Sequence, residues 1–127
     1  DVVEIDLVLA EHETKYNLAR HTLKVIPQIE STISLMNCKE ILEAGQSRFI
    51  AAAFGADDFL ADFEVFRSES DKELDFSRKW FALCCHAHGV ISIDTPYVQY
   101  KNPDGLNEQL EYLTSIGIKA KFAIHPS

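Results

Sequence analysis

The segment Arg48-Phe-Ile-Ala-Ala-Ala-Phe-Gly-Ala-Asp-Asp58 decides the fold of this chain of 127 residues. After Arg48 it stays apolar as far as Phe54, without the alternating polar positions of a strand that has one face in water. Continuous apolarity over the length of one strand indicates burial on both faces, as in a parallel sheet covered by helices. Gly55 ends the run, and two acids follow closely.

Helical and extended patterns alternate along the rest of the chain. Helices are predicted at about 3–15, 32–44, 70–88 and 106–116, and strands at 23–29, 48–54, 90–93 and 119–124. Glycines at 45, 89 and 117 end three of the helices, and Ser70 with Glu73 is typical of a capping box. The order αβαβαβαβ predicts a parallel sheet with right-handed crossovers, either open and doubly wound or part of a closed barrel.

Polar side chains collect where the predicted strands end. Chemistry lies at the C-terminal ends of the strands in both architectures. We therefore expect five residues on one rim: Glu30, Asp57, Asp58, Asp94 and His125. Taken alone, each also has a structural interpretation, because acids favour helix entries and turns and a single histidine at a strand end is commonly structural.

Composition narrows the class of protein. Hydrophobic residues make up 46% and charged residues 25%, which is typical of a globular domain. A formal net charge of −8 repels phosphate backbones and anionic lipids, so we expect neither nucleic-acid nor membrane binding. The three cysteines include an adjacent pair and predict reduced thiols rather than a disulfide framework.

The first residues, Asp1-Val-Val-Glu4, open directly into a helical pattern with no initiator methionine and no targeting segment. From this start we expect the working protein to be longer than the present chain.

Four segments, in this order and spacing, carry a resemblance to one family. They are Val25-Ile-Pro-Gln-Ile-Glu-Ser31, Phe54-Gly-Ala-Asp-Asp-Phe-Leu-Ala-Asp62, Gly89-Val-Ile-Ser-Ile-Asp-Thr-Pro-Tyr97 and Ala123-Ile-His-Pro-Ser127. The chain resembles, from about residue 2 onward, the citrate lyase β-subunit-like proteins of the aldolase/citrate lyase superfamily. Malyl-CoA and citramalyl-CoA lyases belong to the same group.

The resemblance implies an α/β fold in which residues 1–127 form the C-terminal half, about four β/α units, of a (β/α)8 TIM barrel. Full-length members are expected to be homo-oligomers, trimers or larger. The resemblance also implies that an arginine and the CoA contacts come from the first barrel half, and a further acid from a C-terminal extension. Half a barrel leaves two exposed sheet edges, so we expect the isolated chain to be unstable as a monomer. Because it lacks the arginine, the CoA contacts and the further acid, we also expect it to be inactive.

The resemblance also implies a site. Glu30 and Asp58 would bind Mg²⁺, and the backbone of Gly55, Ala56 and Asp57 would hold the carboxylate of a 2-oxo acid. Where many relatives have Gly-Ala-Glu-Asp, this chain has Asp57 in place of the glutamate, which shortens the side chain. Asp94 and His125 are further candidates for substrate contact, and the catalytic residues stay unassigned.

The implied reaction cleaves a 3-hydroxyacyl-CoA of the malyl, citramalyl or citryl type to an acyl-CoA and a 2-oxo acid. The location expected from the family is intracellular, in the cytoplasm or the mitochondrial matrix. Three alternatives stay open: a class II aldolase acting on 2-oxo acids without CoA, a non-catalytic homologue serving as a structural subunit, and a phospho-receiver domain. The last is considered because Asp57-Asp58 resembles the acidic pair of receiver domains.

Overall fold

A computed structural model describes residues 2–45 and 47–125 of the chain. The helices are α1 (Val2–Lys15), α2 (Thr32–Met36), α3 (Cys38–Ala44), α4 (Ala56–Asp62), a 3₁₀ turn (Lys72–Leu74), α5 (Asp75–Ala87) and α6 (Pro103–Ser115). The strands are β1 (Gln28–Ile29), β2 (Ala51–Phe54), β3 (Ile91–Asp94) and β4 (Ala120–Lys121). No helix within the described ranges is long and apolar enough to cross a membrane.

The strands form one parallel sheet in the order β1-β2-β3-β4. A doubly wound sheet reverses its strand order at a switch point, whereas a barrel adds each strand beside the previous one. The observed order matches the barrel type. An α/β fold with a parallel sheet is thus confirmed, and completion of an eight-stranded barrel stays a prediction.

The main core lies between the sheet and the helices. Many of its side chains come from α3, β2, α4 and α5, and they include Cys38, Leu42, Phe54, Phe59 and Phe81, all at most 3% exposed. All four residues of β2 are at most 5% exposed, which confirms the predicted burial of this strand on both faces. Burial of such apolar surface is the main favourable term in folding.

The sheet face turned away from the helices is more open. Asp94 reaches toward α5, so strand alternation directs Ile91 to the opposite face, beside its register partner Ala51. Ile91 is 50% exposed there. The inner face that a closed barrel would cover is therefore partly uncovered in this chain.

A buried ion pair joins α1 to the start of β2. The Arg48 side chain, 3% exposed, donates from its Nη1 and Nη2 atoms to the two carboxylate oxygens of Glu13, at 2.8 and 3.0 Å. Glu13 also accepts from the backbone N–H groups of His21 and Leu23. This cluster lies where the strands begin, at the end of the sheet opposite to the predicted rim.

Two predicted elements are shorter or broken. The strand expected at 23–29 pairs only at Gln28–Ile29, with an isolated bridge at Val25, because Pro27 has no N–H to donate. The helix expected at 32–44 is interrupted at Asn37, which ends α2 and begins α3. Ile33, an apolar residue of α2, is 68% exposed.

The capping box predicted from Ser70 and Glu73 does not form. Glu73 accepts from the N–H and the hydroxyl of Ser68, not from Ser70. Asp71 is 7% exposed and pairs with two arginines. A local pattern could not show these partners, since one of the arginines lies in α5.

The glycines that follow helices have two different roles. Gly89 and Gly117 adopt positive φ angles of 66° and 89°, as expected of residues just beyond a helix end. Gly45, predicted in the same role, has a φ of −98°. A Cβ there would lie 2.1 Å from the Phe49 ring, so packing and not backbone conformation requires this glycine.

Candidate metal and substrate site

Glu30 follows β1 directly, where the chain leaves the sheet. Ile29 is buried in the core with 1% exposed, so strand alternation places Glu30 on the opposite face. There the Gln28 Nε2 atom donates to Glu30 Oε2 at 2.7 Å. Glu30 is partly exposed, and no described residue forms an ion pair with it.

Gly55 brings the end of β2 against Glu30. A Cβ on Gly55 would lie 2.6 Å from the Glu30 Cβ and 3.0 Å from Glu30 Oε2, which is too close for any other residue. The missing side chain therefore lets the Glu30 carboxylate lie beside the start of α4.

The expected role of the Gly55 amide needs correction. This N–H group donates to the Ile29 carbonyl at 2.9 Å, so it is not available to a substrate carboxylate. Ala56 and Asp57 lie in the first turn of α4, where backbone N–H groups have no acceptor within the helix. The backbone expectation for these two residues stays a prediction.

The two acids of α4 have different surroundings. Both are exposed in its first turn. Asp57 Oδ1 accepts from Arg67 Nη1 at 2.8 Å, whereas no described residue forms an ion pair with Asp58. Successive helical residues point about 100° apart around the axis. The ion pair that directs Asp57 to Arg67 therefore leaves Asp58 pointing in another direction.

Glu30 and Asp58 suit a hard divalent cation. Mg²⁺ prefers oxygen ligands and keeps several of its waters, so two carboxylates are sufficient. Gly55 allows close approach of the two elements that carry them. Across residues 2–45 and 47–125, no group of three or more histidines, cysteines or acids converges on a metal site. Water or substrate oxygens would therefore supply the other ligands.

Asp94 does not share this open position. It is 0% exposed, and its oxygens accept from Arg78 Nε at 2.9 Å and from Lys121 Nζ at 2.7 Å. The protein's own cations occupy the carboxylate that was expected to contact substrate. We therefore leave Asp94 out of the proposed site, because a ligand would have to displace buried ion pairs to reach it.

His125 lies beyond β4, on the same side of the sheet as the ends of the other strands. It is exposed, and its ring stacks on Tyr100 with centroids 5.0 Å apart and 19° between the planes. A contact between His125 and substrate stays a prediction. Pro126 and Ser127, the last residues of the quoted motif, lie outside the described residues.

Sequence reasoning missed the ion-pair network behind Asp57. Arg67 donates through Nε and Nη2 to the two oxygens of Asp71, at 2.8 and 2.9 Å. Asp71 also accepts from Arg78 and Gln109, each at 2.9 Å. Burial opposes ionisation of Asp71, but the arginines outweigh it and hold the pKa of this carboxyl below its usual range. In the sequence, the only signal of this network was the alternation of acidic and basic residues in the polar stretch 67–73.

Comparisons with known proteins identify one family. A family model described as HpcH/HpaI aldolase/citrate lyase matches residues 1–126. Mitochondrial citramalyl-CoA lyase of Rattus norvegicus is 27% identical over 112 residues, which cover 83% of this chain and 33% of that protein. Citrate lyase subunit beta of Haemophilus influenzae is 27% identical over 126 residues, covering 99% and 43%. The chain thus spans between a third and a half of the length of these relatives.

A solved structure shares the fold. The citrate lyase beta subunit of M. tuberculosis, complexed with oxaloacetate and magnesium, superimposes with a TM-score of 0.72. The match covers 81% of this chain and 48% of that one, at 21% identity. The resemblance inferred from the four sequence segments is confirmed.

Proposed function

The chain belongs to the HpcH/HpaI aldolase/citrate lyase family, and on that premise we propose that it carries the magnesium site of a carbon–carbon lyase. The proposed substrate is a 3-hydroxyacyl-CoA of the malyl, citramalyl or citryl type. The bond between its hydroxyl-bearing carbon and the carbon next to the thioester breaks, which yields a 2-oxo acid and an acyl-CoA. Family membership excludes the phospho-receiver alternative.

The contact between Glu30 and Gly55 carries this proposal. It brings a partly exposed carboxylate, with which no described residue forms an ion pair, against the helix turn that contains Asp58. Carboxylates at two neighbouring strand ends are the oxygen donors that Mg²⁺ prefers. A citramalyl-CoA lyase among the relatives and bound magnesium and oxaloacetate in a structural neighbour support the same assignment.

The residues of this chain have separate roles in the proposal. Glu30 and Asp58 would hold Mg²⁺, which polarises the oxygens of a 2-oxo acid as a Lewis acid. Gln28 orients Glu30 through its hydrogen bond to Oε2. The N–H groups of Ala56 and Asp57 would receive the substrate carboxylate. We assign no proton acceptor to this chain. We propose that the working protein is a homo-oligomer and that its other parts supply the remaining catalytic and CoA-binding groups.

Calorimetric titration of Mg²⁺ into the longest natural form of the protein, with and without oxaloacetate, tests the site. We expect Glu30→Ala and Asp58→Ala each to abolish measurable binding, because two carboxylates are the only protein ligands proposed. Oxaloacetate should tighten binding by wild type, since it supplies further oxygen ligands. Glu111→Ala removes an exposed acid of α6 as a matched control, and it should bind as wild type does.

Equal binding by wild type and both site variants would contradict the proposal. The chain would then be better explained as a non-catalytic homologue that serves as a structural subunit. Tight Mg²⁺ and oxaloacetate binding without any effect of CoA thioesters would instead favour the CoA-independent aldolase.

A further inference from the structure

Six alternating charges connect the candidate site to the far edge of the sheet. In order they are Asp57, Arg67, Asp71, Arg78, Asp94 and Lys121. The contacts that join them measure between 2.7 and 2.9 Å. The first member lies in the exposed turn that also carries Asp58, whereas Asp71, Arg78 and Asp94 are at most 7% exposed.

The buried end of this series of ion pairs fixes the position of Arg67. Its guanidinium donates hydrogen bonds to both oxygens of Asp71, and a bidentate interaction of this kind defines orientation as well as distance. Asp71 is itself held by Arg78, whose side chain is 1% exposed, and by Gln109. The remaining nitrogen, Nη1, therefore presents a fixed donor to Asp57.

The turn that receives this donor needs an external tether. Helix α4 has seven residues, and short helices gain little stability from their own hydrogen bonds. Ala56, Phe59 and Leu60 anchor its inner face, but Asp57 and Asp58 are both exposed. Among the described residues, Arg67 is the one that forms an ion pair with this turn, through Asp57.

We propose that Arg67 is a positioning residue for the metal site: through Asp57 it fixes the first turn of α4 and thereby the orientation of Asp58. This inference rests on the proposed function, since it requires Asp58 to bind Mg²⁺. It adds a residue outside the metal and substrate contacts, acting through a neighbour as supporting groups around metal ligands do.

Electrostatic repulsion alone predicts the opposite change in Mg²⁺ affinity when Arg67 is removed. Arg67 is a cation close to a proposed cation site, so removing its charge alone would strengthen Mg²⁺ binding. A positioning role predicts weaker binding, because the freed turn must be ordered again each time the metal binds. The direction of the change in Kd therefore separates the two explanations.

The experiment measures Mg²⁺ affinity by calorimetry in the presence of oxaloacetate, on the longest natural form of the protein. Arg67→Met, Asp57→Asn and the double variant form a cycle. We expect each single change to raise Kd about tenfold, the lower end for groups that support metal ligands. The double variant should bind no more weakly than the weaker single, since both changes remove one interaction.

Two further variants control the cycle. Arg20→Met removes an exposed arginine at the opposite end of the sheet, with the same change in net charge, and should leave Kd unchanged. Arg67→Lys keeps the charge but not the fork, and we expect a partial loss. Because Asp57 is two-thirds exposed, Asp57→Asn provides a test that does not depend on how well Arg67→Met folds.

Unchanged or tighter binding by Arg67→Met, with binding still abolished by Glu30→Ala, would overturn the positioning role and leave the proposed function intact. Independent, additive effects of the two single changes would overturn it as well. Absence of Mg²⁺ binding by wild type would overturn both.

Discussion

Glu30 and Asp94 both follow or end a strand of the same sheet, yet they lie in opposite environments. Asp94 is 0% exposed and pairs with Arg78 and Lys121. Glu30 is partly exposed, and its described partner is the neutral amide of Gln28. A carboxylate surrounded by the protein's own cations serves the fold, whereas one left without a cation can bind one from solution.

The physical cause is desolvation. An ionised carboxylate moved away from water needs compensating charge and hydrogen bonds, which the arginines supply to Asp71 and Asp94. Glu30 and Asp58 keep contact with solvent, so water hydrates these carboxylates and they need no such partner. The two regions should therefore respond differently to mutation: the buried one through stability and the open one through metal affinity.

The largest effect is expected for Arg78→Met. It leaves Asp94 and Asp71 buried with fewer partners, so we expect the free energy of unfolding to fall by about 3–5 kcal/mol. Urea denaturation of the longest natural form measures this change. Lys79→Met, one residue further along α5, breaks an ion pair whose side chains are about half exposed and should cost less than about 1 kcal/mol. Equal losses of unfolding free energy for Arg78→Met and Lys79→Met would contradict the distinction between buried and exposed ion pairs.

The ion pair between Glu13 and Arg48 should make the stability of the protein depend on pH in the acid range. Hydrogen bonds from Arg48 lower the pKa of Glu13 to about 2, from an ordinary 4.5. Because the folded-state pKa is depressed, the contribution of Glu13 is complete above pH 4.5 and is lost as the pH falls toward 2. Thermal melting between pH 7 and pH 2 should show this fall, and Glu13→Gln should start lower and slope less. Parallel curves for the two proteins would refute it.

A smaller change in stability than that of Arg78→Met, with an added change in binding, is expected for Gly55→Ala. Its Cβ would press against Glu30, so we expect a loss of about 1–3 kcal/mol together with weaker Mg²⁺ binding. Gly89→Ala is the matched control, because its Cβ meets nothing within 4 Å and only the positive φ is strained. It should cost about 1–2 kcal/mol and leave Mg²⁺ affinity unchanged. Calorimetry and thermal melting distinguish the two.

Much of the fold was predictable because it depends on local patterns. The apolar run before Gly55 indicated the buried strand β2, and glycines 89 and 117 marked two helix ends where the backbone requires a positive φ. Element lengths were less predictable. Hydrophobic periodicity does not mark the break at Asn37, and it takes no account of Pro27, which lacks the N–H needed to extend β1.

The candidate site was predictable in its list of residues and less so in their roles. Spacing and resemblance selected Glu30, Asp58 and Gly55. The same reasoning grouped Asp94 with them, because an aspartate at a strand end looks alike whether it faces water or Arg78. It also missed Arg67, whose importance comes from Asp71 and Arg78, up to eleven positions away in the sequence.

By itself, the amino-acid sequence determined the αβ alternation, the parallel sheet and the family, since these follow from hydrophobic period, glycine positions and the order of short motifs. Only the tertiary structure decided which acids are available to a ligand. That outcome depends on which cations the folded chain brings within about 3 Å of each carboxylate. Arg78 and Lys121 reach Asp94 from α5 and β4, whereas no described cation pairs with Glu30 or Asp58.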